Sequence, residues 1–135
     1  MNTEYTESEV GEIAKKILQV LGSKQLIFLS GDLGSGKTTL TSALLKQLGN
    51  QRPVKSPTFG LVESYDTNSG IRVHHMDLYR IRKEEELLEA GILELINSGD
   101  LCIIEWPDLL QNHYSGQALK LQLSHCQRGR SIQIG

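Results

Sequence analysis

One segment of the chain has the residue types and spacing of a phosphate-binding loop. Residues 31–38 match GxxxxGK[S/T] at every fixed position, and they read Gly31-Asp32-Leu33-Gly34-Ser35-Gly36-Lys37-Thr38. Because glycine has no side chain, the backbone N–H groups of such a loop can close around phosphate oxygens. Lys37 supplies a positive charge for the β- and γ-phosphates, and the Thr38 hydroxyl is suited to Mg²⁺.

A helix that begins near Lys37 adds its unpaired N–H groups and the positive end of its dipole to the same anion. The segment therefore predicts that the chain binds a nucleoside triphosphate, ATP, together with Mg²⁺. The predicted nucleotide-binding residues are Asp32, Leu33, Gly34, Ser35, Gly36, Lys37, Thr38 and Thr39.

A phosphate loop needs an acidic residue at the end of a nearby strand to hold Mg²⁺, directly or through water. Two residues qualify on position alone. Glu105 follows the continuous apolar run 101–104, and Asp77 follows a weaker strand over 71–76. A helix cap or a solvated strand end is the plainer alternative for each, so both acids stay candidates at this point.

Other polar and aromatic residues near these acids carry less information. His74 and His75 are adjacent, so in a strand they face opposite sides of the sheet and are a poor zinc site. Trp106 could be interpreted equally well as a residue that packs in the core or as a residue of the site. Cys102 lies in an apolar run and is interpreted as a small core hydrophobe, and a disulfide with the distant Cys126 is not expected.

The elements that position the loop follow from hydrophobic periodicity. Apolar residues three or four apart predict a helix over 7–21, with Thr6 or Ser8 as its N-cap and Gly22 at its end. The run 26–29 predicts a strand buried on both faces, as in a parallel sheet. A second helix is predicted from Lys37 to about Leu48, so the loop lies between a strand and a helix.

The rest of the chain predicts further strands and one more helix. Residues 60–65 and 71–76 form a predicted hairpin, 83–97 a helix, and 101–104 a buried strand. Alternating apolar residues around Arg128-Gly129-Arg130 predict a final antiparallel hairpin. The fold class is α/β: a single P-loop NTPase domain over residues 1–135, with a mostly parallel central sheet flanked by helices and an antiparallel hairpin component.

Composition narrows the functional classes. The chain has 135 residues, which suits one domain, and its formal net charge is −2, which gives no overall attraction to nucleic acid or anionic lipid. We expect any contact with RNA to pass through a partner protein. No apolar run approaches the length of a membrane span, and residues 1–4 do not resemble a signal peptide, so a cytoplasmic protein is expected.

Four segments together resemble one family, TsaE (also called YjeE), in order and spacing over roughly residues 5–110. They are Gly31-Asp32-Leu33-Gly34-Ser35-Gly36-Lys37-Thr38-Thr39, Ser56-Pro57-Thr58-Phe59, His75-Met76-Asp77-Leu78-Tyr79-Arg80 and Ile104-Glu105-Trp106-Pro107. The resemblance implies a small ATPase required for threonylcarbamoyladenosine synthesis on tRNA, which hydrolyses ATP to reset a complex of TsaD and TsaB between turnovers. Contact with tRNA is then indirect.

The resemblance also implies roles for individual residues. Thr38 and Glu105 bind Mg²⁺, Asp77 polarises or places the attacking water, and Lys37 binds phosphate. Residues 56–59 resemble a switch-like loop. The remaining implied roles are sensing of the γ-phosphate by Thr58, support of the site by Trp106, a partner contact by Arg80, and a position near the nucleotide for Arg130.

Gly60 departs from the family pattern, which more often has a polar β-branched residue there.

Three other functions compete with the ATPase. A small-molecule kinase usually has an arginine-rich lid, whereas the arginines here are scattered. A GTP-driven switch carries an [N/T]KxD segment, which this sequence lacks. A nucleotide-binding module without catalysis stays open, because the sequence shows no obvious arginine finger in cis.

Overall fold

A computed structural model describes residues 2–57, 62–114 and 116–135. The strands and helices alternate along much of the chain. The strands are β1 (Asn2–Tyr5), β2 (Leu26–Ser30), β3 (Val62–Asp66), β4 (Arg72–Asp77), β5 (Leu101–Glu105), β6 (Leu119–Cys126) and β7 (Gly129–Ile134). The helices are α1 (Val10–Leu21), α2 (Lys37–Gln47), α3 (Glu84–Glu89), α4 (Ile92–Ile96) and α5 (Gln111–Tyr114), with 3₁₀ turns at Glu7–Glu9 and Asp108–Leu110.

The strands form one sheet in the order β1-β7-β6-β2-β5-β4-β3. The inner strands β6, β2, β5 and β4 are parallel, whereas the outer pairings β1–β7, β7–β6 and β4–β3 are antiparallel. The central strands are thus parallel and the hairpins antiparallel, as predicted, but with three antiparallel pairings to three parallel ones the sheet as a whole is mixed. Each hairpin contributes one strand to the parallel group, β4 or β6, and places the other, β3 or β7, outside it.

Alternate residues of the central strands pack into two separate hydrophobic clusters, one on each face. In β2, Ile27 and Leu29 contact the cluster that contains the buried residues of α1 and α2. Leu26 and Phe28 belong to the cluster on the opposite face, with buried residues of α3 and α4. This arrangement confirms the prediction that β2 is buried on both faces.

The structure confirms both predicted hairpins and the two amino-terminal helices. The predicted helix over 7–21 begins as a 3₁₀ turn and becomes α-helical at Val10. At its start, the Thr6 backbone N–H donates to Glu9 Oε1 at 2.9 Å, as in a capping box. Cys102 is buried, and burial raises the pKa of its thiol to about 12, which fits its interpretation as a core residue.

Two elements differ from the sequence predictions. The helix predicted over 83–97 is two short helices, because Gly91 between them has a φ of 71°, in the left-handed region. Strand β1 was not predicted, since its four residues are mostly polar and carry no hydrophobic pattern. No helix in the described ranges is long and apolar enough to cross a lipid bilayer.

Candidate functional site

The carboxyl ends of three parallel strands meet at one edge of the sheet, where ligands bind in open α/β sheets. Strand β2 leads into the phosphate loop, and β4 and β5 end on register partners Asp77 and Glu105. The cleft between them, called the phosphate cleft, has a volume of about 450 Å³. Its lining residues are Leu33, Gly34, Gly36, Lys37, Thr38, Thr39, Ser56, Pro57, Asp77, Glu105, Trp106 and Arg130. The structure thus brings the predicted loop and both predicted acids together.

Two glycines are required by the local shape of the loop. A Cβ atom at Gly31 would lie 2.6 Å from Ser35 Oγ and 2.9 Å from the Leu123 carbonyl oxygen, which is too close. Gly36 has a φ of 102°, and a Cβ there would lie 3.0 Å from Arg130 Nε. The loop therefore passes against β6 and β7 with room for backbone only.

Lys37 is buried at the first position of α2, and its ammonium group has three neighbours. The Nζ atom donates to the Gly31 carbonyl oxygen at 2.6 Å and lies 3.9 Å from Glu105 Oε1. It also lies 4.3 Å from the centroid of the Trp106 ring, at cation–π distance. These contacts fix a positive charge at the floor of the phosphate cleft.

Glu105 is 3% exposed and has a different partner for each carboxylate oxygen. Oε2 lies 2.6 Å from His75 Nε2, while Oε1 faces Lys37. Its backbone carbonyl accepts a hydrogen bond from the Leu78 N–H at 3.1 Å, which ties the end of β5 to the chain that leaves β4. Glu105 is therefore rigidly placed.

Asp77 is half-buried at the end of β4. Burial raises the pKa of its carboxyl group, and the negative charge of Glu105 acts in the same direction. The Tyr79 backbone N–H, which donates to Asp77 Oδ1 at 3.0 Å, and the positive charge of Lys37 partly oppose this rise in pKa. The two acids are thus unlike: Glu105 is buried and paired, whereas Asp77 has a carboxylate that faces the cleft with fewer partners.

Trp106 stacks beside the site in a strained backbone conformation. Its φ of 55° lies in the left-handed region, and no other described non-glycine residue has a positive φ. The indole packs against the Tyr79 ring with centroids 5.0 Å apart and planes at 57°. Backbone strain of this kind costs on the order of 1–3 kcal/mol and collects at functional sites. The position supports the prediction that Trp106 belongs to the site.

The Thr38 hydroxyl, the predicted metal ligand from the loop, has a partner outside it. Thr38 Oγ1 lies 2.7 Å from Ser56 Oγ, so the first residue of the predicted switch-like segment touches the phosphate loop. Thr58, the predicted sensor of the γ-phosphate, lies outside the described residues, as do Phe59 and Gly60.

A second cavity, called the side pocket, adjoins the phosphate cleft and has a volume of about 250 Å³. It is lined by Tyr5, Glu7, Val10, Gly36, Thr39, Gly129 and Arg130. The Tyr5 hydroxyl is itself buried and has no hydrogen-bond partner among the described residues. Burial raises the pKa of this hydroxyl, while the positive charge of Arg130 opposes the rise in pKa.

Some of the predicted site residues lie away from the phosphate cleft, and some residues near the cleft were not predicted to have a role there. Asp32 and Arg80 are exposed and do not line it. His74 points to the opposite face of the sheet from His75, as predicted, and contacts Ser64 and Asp100. Arg130 lies beside the loop, near the predicted nucleotide site. Tyr5 had no local signal, and His75 entered only as part of the segment 75–80, because the contacts of both residues depend on strands distant in sequence.

Comparisons with known proteins find one protein family. A family model described as "Threonylcarbamoyl adenosine biosynthesis protein TsaE" matches residues 5–132. The chain is similar to the tRNA threonylcarbamoyladenosine biosynthesis protein TsaE of Haemophilus influenzae, with 35% identity over 97% of this chain and 84% of that protein. With the Aquifex aeolicus protein of the same name it shares 41% identity over 76% of this chain and 73% of the relative.

A solved structure has the same fold. The crystal structure of YdiB from Bacillus subtilis superposes with a TM-score of 0.74 and 27% sequence identity. The superposition covers 99% of this chain and 82% of the YdiB chain. The mixed seven-stranded sheet with flanking helices is therefore shared with that protein.

Proposed function

The chain belongs to the TsaE family, whose members take part in the biosynthesis of threonylcarbamoyladenosine in tRNA, and on this premise we propose that it is the ATPase of that pathway. In this proposal it binds ATP with Mg²⁺ in the phosphate cleft and hydrolyses it slowly alone. Hydrolysis resets a complex of TsaD and TsaB between turnovers, and the chain meets tRNA only through that complex.

One observation carries the proposal: a glycine-lined loop with a buried lysine faces two carboxylates across a single cleft. Gly31 and Gly36 lie where no Cβ fits, so the loop packs closely against β6 and β7. At Gly34 no atom of the described residues lies within 4 Å of a Cβ position, which leaves that part of the loop open to phosphate oxygens. Lys37 would meet the β- and γ-phosphates as a point charge. Asp32 and Ser35 would contribute through their backbone, because their side chains do not line the cleft.

The donor set also fits Mg²⁺, which prefers hard oxygen ligands from a few side chains, water and substrate phosphates. The Thr38 hydroxyl and the Glu105 carboxylate would hold the ion, and the Thr38 hydroxyl would then exchange its Ser56 contact for the metal. The bound ion supplies positive charge against the phosphate oxygens. Asp77 would accept a hydrogen bond from the attacking water and orient it toward the γ-phosphate.

The side pocket suits the nucleoside half of ATP. It shares Gly36, Thr39 and Arg130 with the phosphate cleft, so a ligand can extend from one cavity into the other. The Arg130 guanidinium lies beside the loop and would face the sugar or the α-phosphate.

The reset of a partner complex rests on the family resemblance, and the surface around the cleft supports it. Leu33 at the tip of the loop is 78% exposed, and Tyr79 beside Trp106 is 61% exposed. Large apolar side chains at the rim of a nucleotide cleft provide a surface for a protein partner. Arg80, also exposed, follows Tyr79 and would contact the same partner.

Two substitutions test nucleotide binding and hydrolysis separately. Lys37→Ala should abolish ATP binding, measured by calorimetry, because it removes the positive charge at the floor of the cleft. Glu105→Ala should keep ATP binding and lose Mg²⁺-dependent phosphate release. Tight ATP binding by Lys37→Ala would contradict the phosphate-loop assignment. ATP binding without hydrolysis in the wild-type chain, alone and with TsaD and TsaB, would favour a binding module without catalysis.

The partner assignment needs its own experiment. A pull-down with TsaD and TsaB, with and without ATP, should recover the chain with both proteins in at least one nucleotide state. Lys37→Ala serves as the matched control, since it should lose any ATP dependence of the association. Absence of association in both states would remove support for the reset of the TsaD–TsaB complex.

A further inference from the structure

We propose that His75 is a positioning residue that holds the Glu105 carboxylate in one orientation, with Oε2 on the imidazole and Oε1 facing the phosphate loop. The inference rests on the proposed function for its link to ATP and Mg²⁺, while the contact between the two side chains stands on the structure alone. His75 has no role in the set of residues derived above from the phosphate loop and its acids.

The two side chains meet because neighbouring parallel strands place them on the same face of the sheet. On β4, His75 and Asp77 are two residues apart and therefore share a face. Asp77 is the register partner of Glu105, so His75 lies two residues before this pair on the same face of the sheet. His75 is fully buried, and its Nε2 lies 2.6 Å from Glu105 Oε2.

The direction of this hydrogen bond follows from the surroundings of the ring. His75 Nδ1 is buried and has no hydrogen-bond partner in the part of the chain that the structure describes. The Glu105 carboxylate accepts hydrogen bonds, so the imidazole donates from Nε2. A short bond to a charged acceptor inside the protein is among the stronger hydrogen bonds, and it fixes the rotation of the carboxylate.

Without this bond, the nearest other charged partner of Glu105 is Lys37, whose Nζ lies 3.9 Å from Oε1. A carboxylate free to rotate would turn both oxygens toward the ammonium group. Lys37 would then be drawn from the phosphates and Glu105 from the metal position. Because the imidazole binds Oε2, only Oε1 of Glu105 faces the phosphate cleft. Groups that hydrogen-bond to the ligands of a metal site orient those ligands in the same way.

The adjacent histidine offers a matched control. His74 is also buried, and its Nε2 also contacts a carboxylate, Asp100 Oδ2, at 2.9 Å. It faces the opposite side of the sheet, away from the phosphate cleft. Loss of His75 removes one buried hydrogen bond, and loss of His74 removes two partly buried ones. Both variants therefore measure the cost in stability, whereas only His75 variants should alter ATP hydrolysis.

The kinetic experiment compares His75→Leu, His75→Gln and His74→Leu in the full chain. His75→Leu should lower kcat for ATP hydrolysis by about 10- to 100-fold and raise the Mg²⁺ concentration for half-maximal rate, with KM for ATP nearly unchanged. His75→Gln should recover most of kcat, because its side-chain amide can donate to Oε2 from a similar position. Folded His74→Leu should keep the wild-type kcat. An unchanged kcat in His75→Leu, or an equal loss in His75→Gln and His75→Leu, would overturn the inference.

A spectroscopic measurement keeps the inference separate from the ATPase proposal. In nucleotide-free protein with ¹⁵N-labelled histidine, NMR should show His75 protonated at Nε2, with a strongly deshielded proton. In Glu105→Gln this proton should become more shielded, since the acceptor loses its charge. A proton on Nδ1 alone would overturn the inference even if hydrolysis were found. Conversely, an absence of hydrolysis in the wild-type protein with its partners would remove the proposed function and leave this result standing.

Discussion

At the residue scale, Asp77 combines a cost in stability with a proposed role in catalysis. Folding raises the pKa of this carboxyl group, mainly by burial, so the folded state favours its protonated form. The stability gained from this preference is complete below the unfolded pKa of about 3.9 and is lost as pH rises through the folded pKa. At neutral pH the ionised carboxylate therefore weakens the fold.

Asp77→Asn should raise the melting temperature at pH 7, because the amide removes the buried charge and can still accept from the Tyr79 N–H. The gain should shrink as pH falls and vanish below about pH 4, where the wild-type carboxyl group is also protonated. Thermal unfolding at several pH values measures it. The same variant should lose at least about 100-fold in ATP hydrolysis. A melting temperature below that of the wild type at pH 7 would contradict this account.

Trp106 is a fluorescent probe of the same site, because it is the only tryptophan in the sequence and its ring centroid lies 4.3 Å from Lys37 Nζ. Phosphate binding should draw the ammonium group from the indole ring, so ATP should produce a saturable change in tryptophan fluorescence. Lys37→Ala is the control and should show no response. If calorimetry detects ATP binding while the emission stays constant, Lys37 keeps its contact with Trp106 in the complex.

The residues of the phosphate loop could be predicted because their constraints are local. Gly31, Gly36 and Lys37 are fixed by the turn from a strand into a helix, which one short pattern records. His75 and Tyr5 could not be predicted in this way. Their partners come from strands that are adjacent in the sheet and distant in sequence, and a single sequence contains no record of that pairing.

At the scale of elements, the break at Gly91 shows where periodicity misleads. Apolar residues continue at helical spacing through 83–97, but the left-handed φ of Gly91 ends α3 and redirects the chain into α4. Ile92 then packs into the hydrophobic cluster that contains Phe28. The two short helices therefore cover a part of that sheet face that one straight helix would leave exposed. The spacing of hydrophobic residues predicts which residues are buried more reliably than it predicts whether they belong to one continuous helix.

Gly91→Ala should therefore destabilise the protein by about 1–2 kcal/mol, the cost of a left-handed conformation for a residue with a Cβ. No atom lies within 4 Å of the new methyl group, so the effect is backbone strain alone. Gly11→Ala is the control, since Gly11 lies within α1, has no positive φ, and a Cβ there would meet only Gln47 Nε2 at 3.9 Å among the described residues. Urea unfolding measures both. Equal stability of the two variants would show that α3 and α4 adapt to the substitution.

At the scale of the whole molecule, the mixed sheet joins the two ends of the chain to the site. The parallel strands β2, β4 and β5 end at the phosphate cleft, while β1 and β7 pair at one sheet edge and carry Tyr5 and Arg130 to the side pocket. The central α/β order could be predicted from the sequence, since the central strands β2 and β5 are continuous apolar runs. The pairing of β1 could not, because a short polar edge strand is defined by its partner's backbone.

This arrangement predicts different hydrogen-exchange responses to ATP and to inorganic triphosphate, each with Mg²⁺. Both ligands should slow amide exchange in the phosphate loop, residues 31–38, since both carry phosphates. Only ATP should also slow exchange in residues 2–9 and 128–131, because the nucleoside would fill the side pocket between β1 and β7. Tyr5→Phe should stabilise the free protein, since it removes a buried hydroxyl without a described partner. Equal protection of the amino-terminal segment by the two ligands would place the nucleoside outside the side pocket.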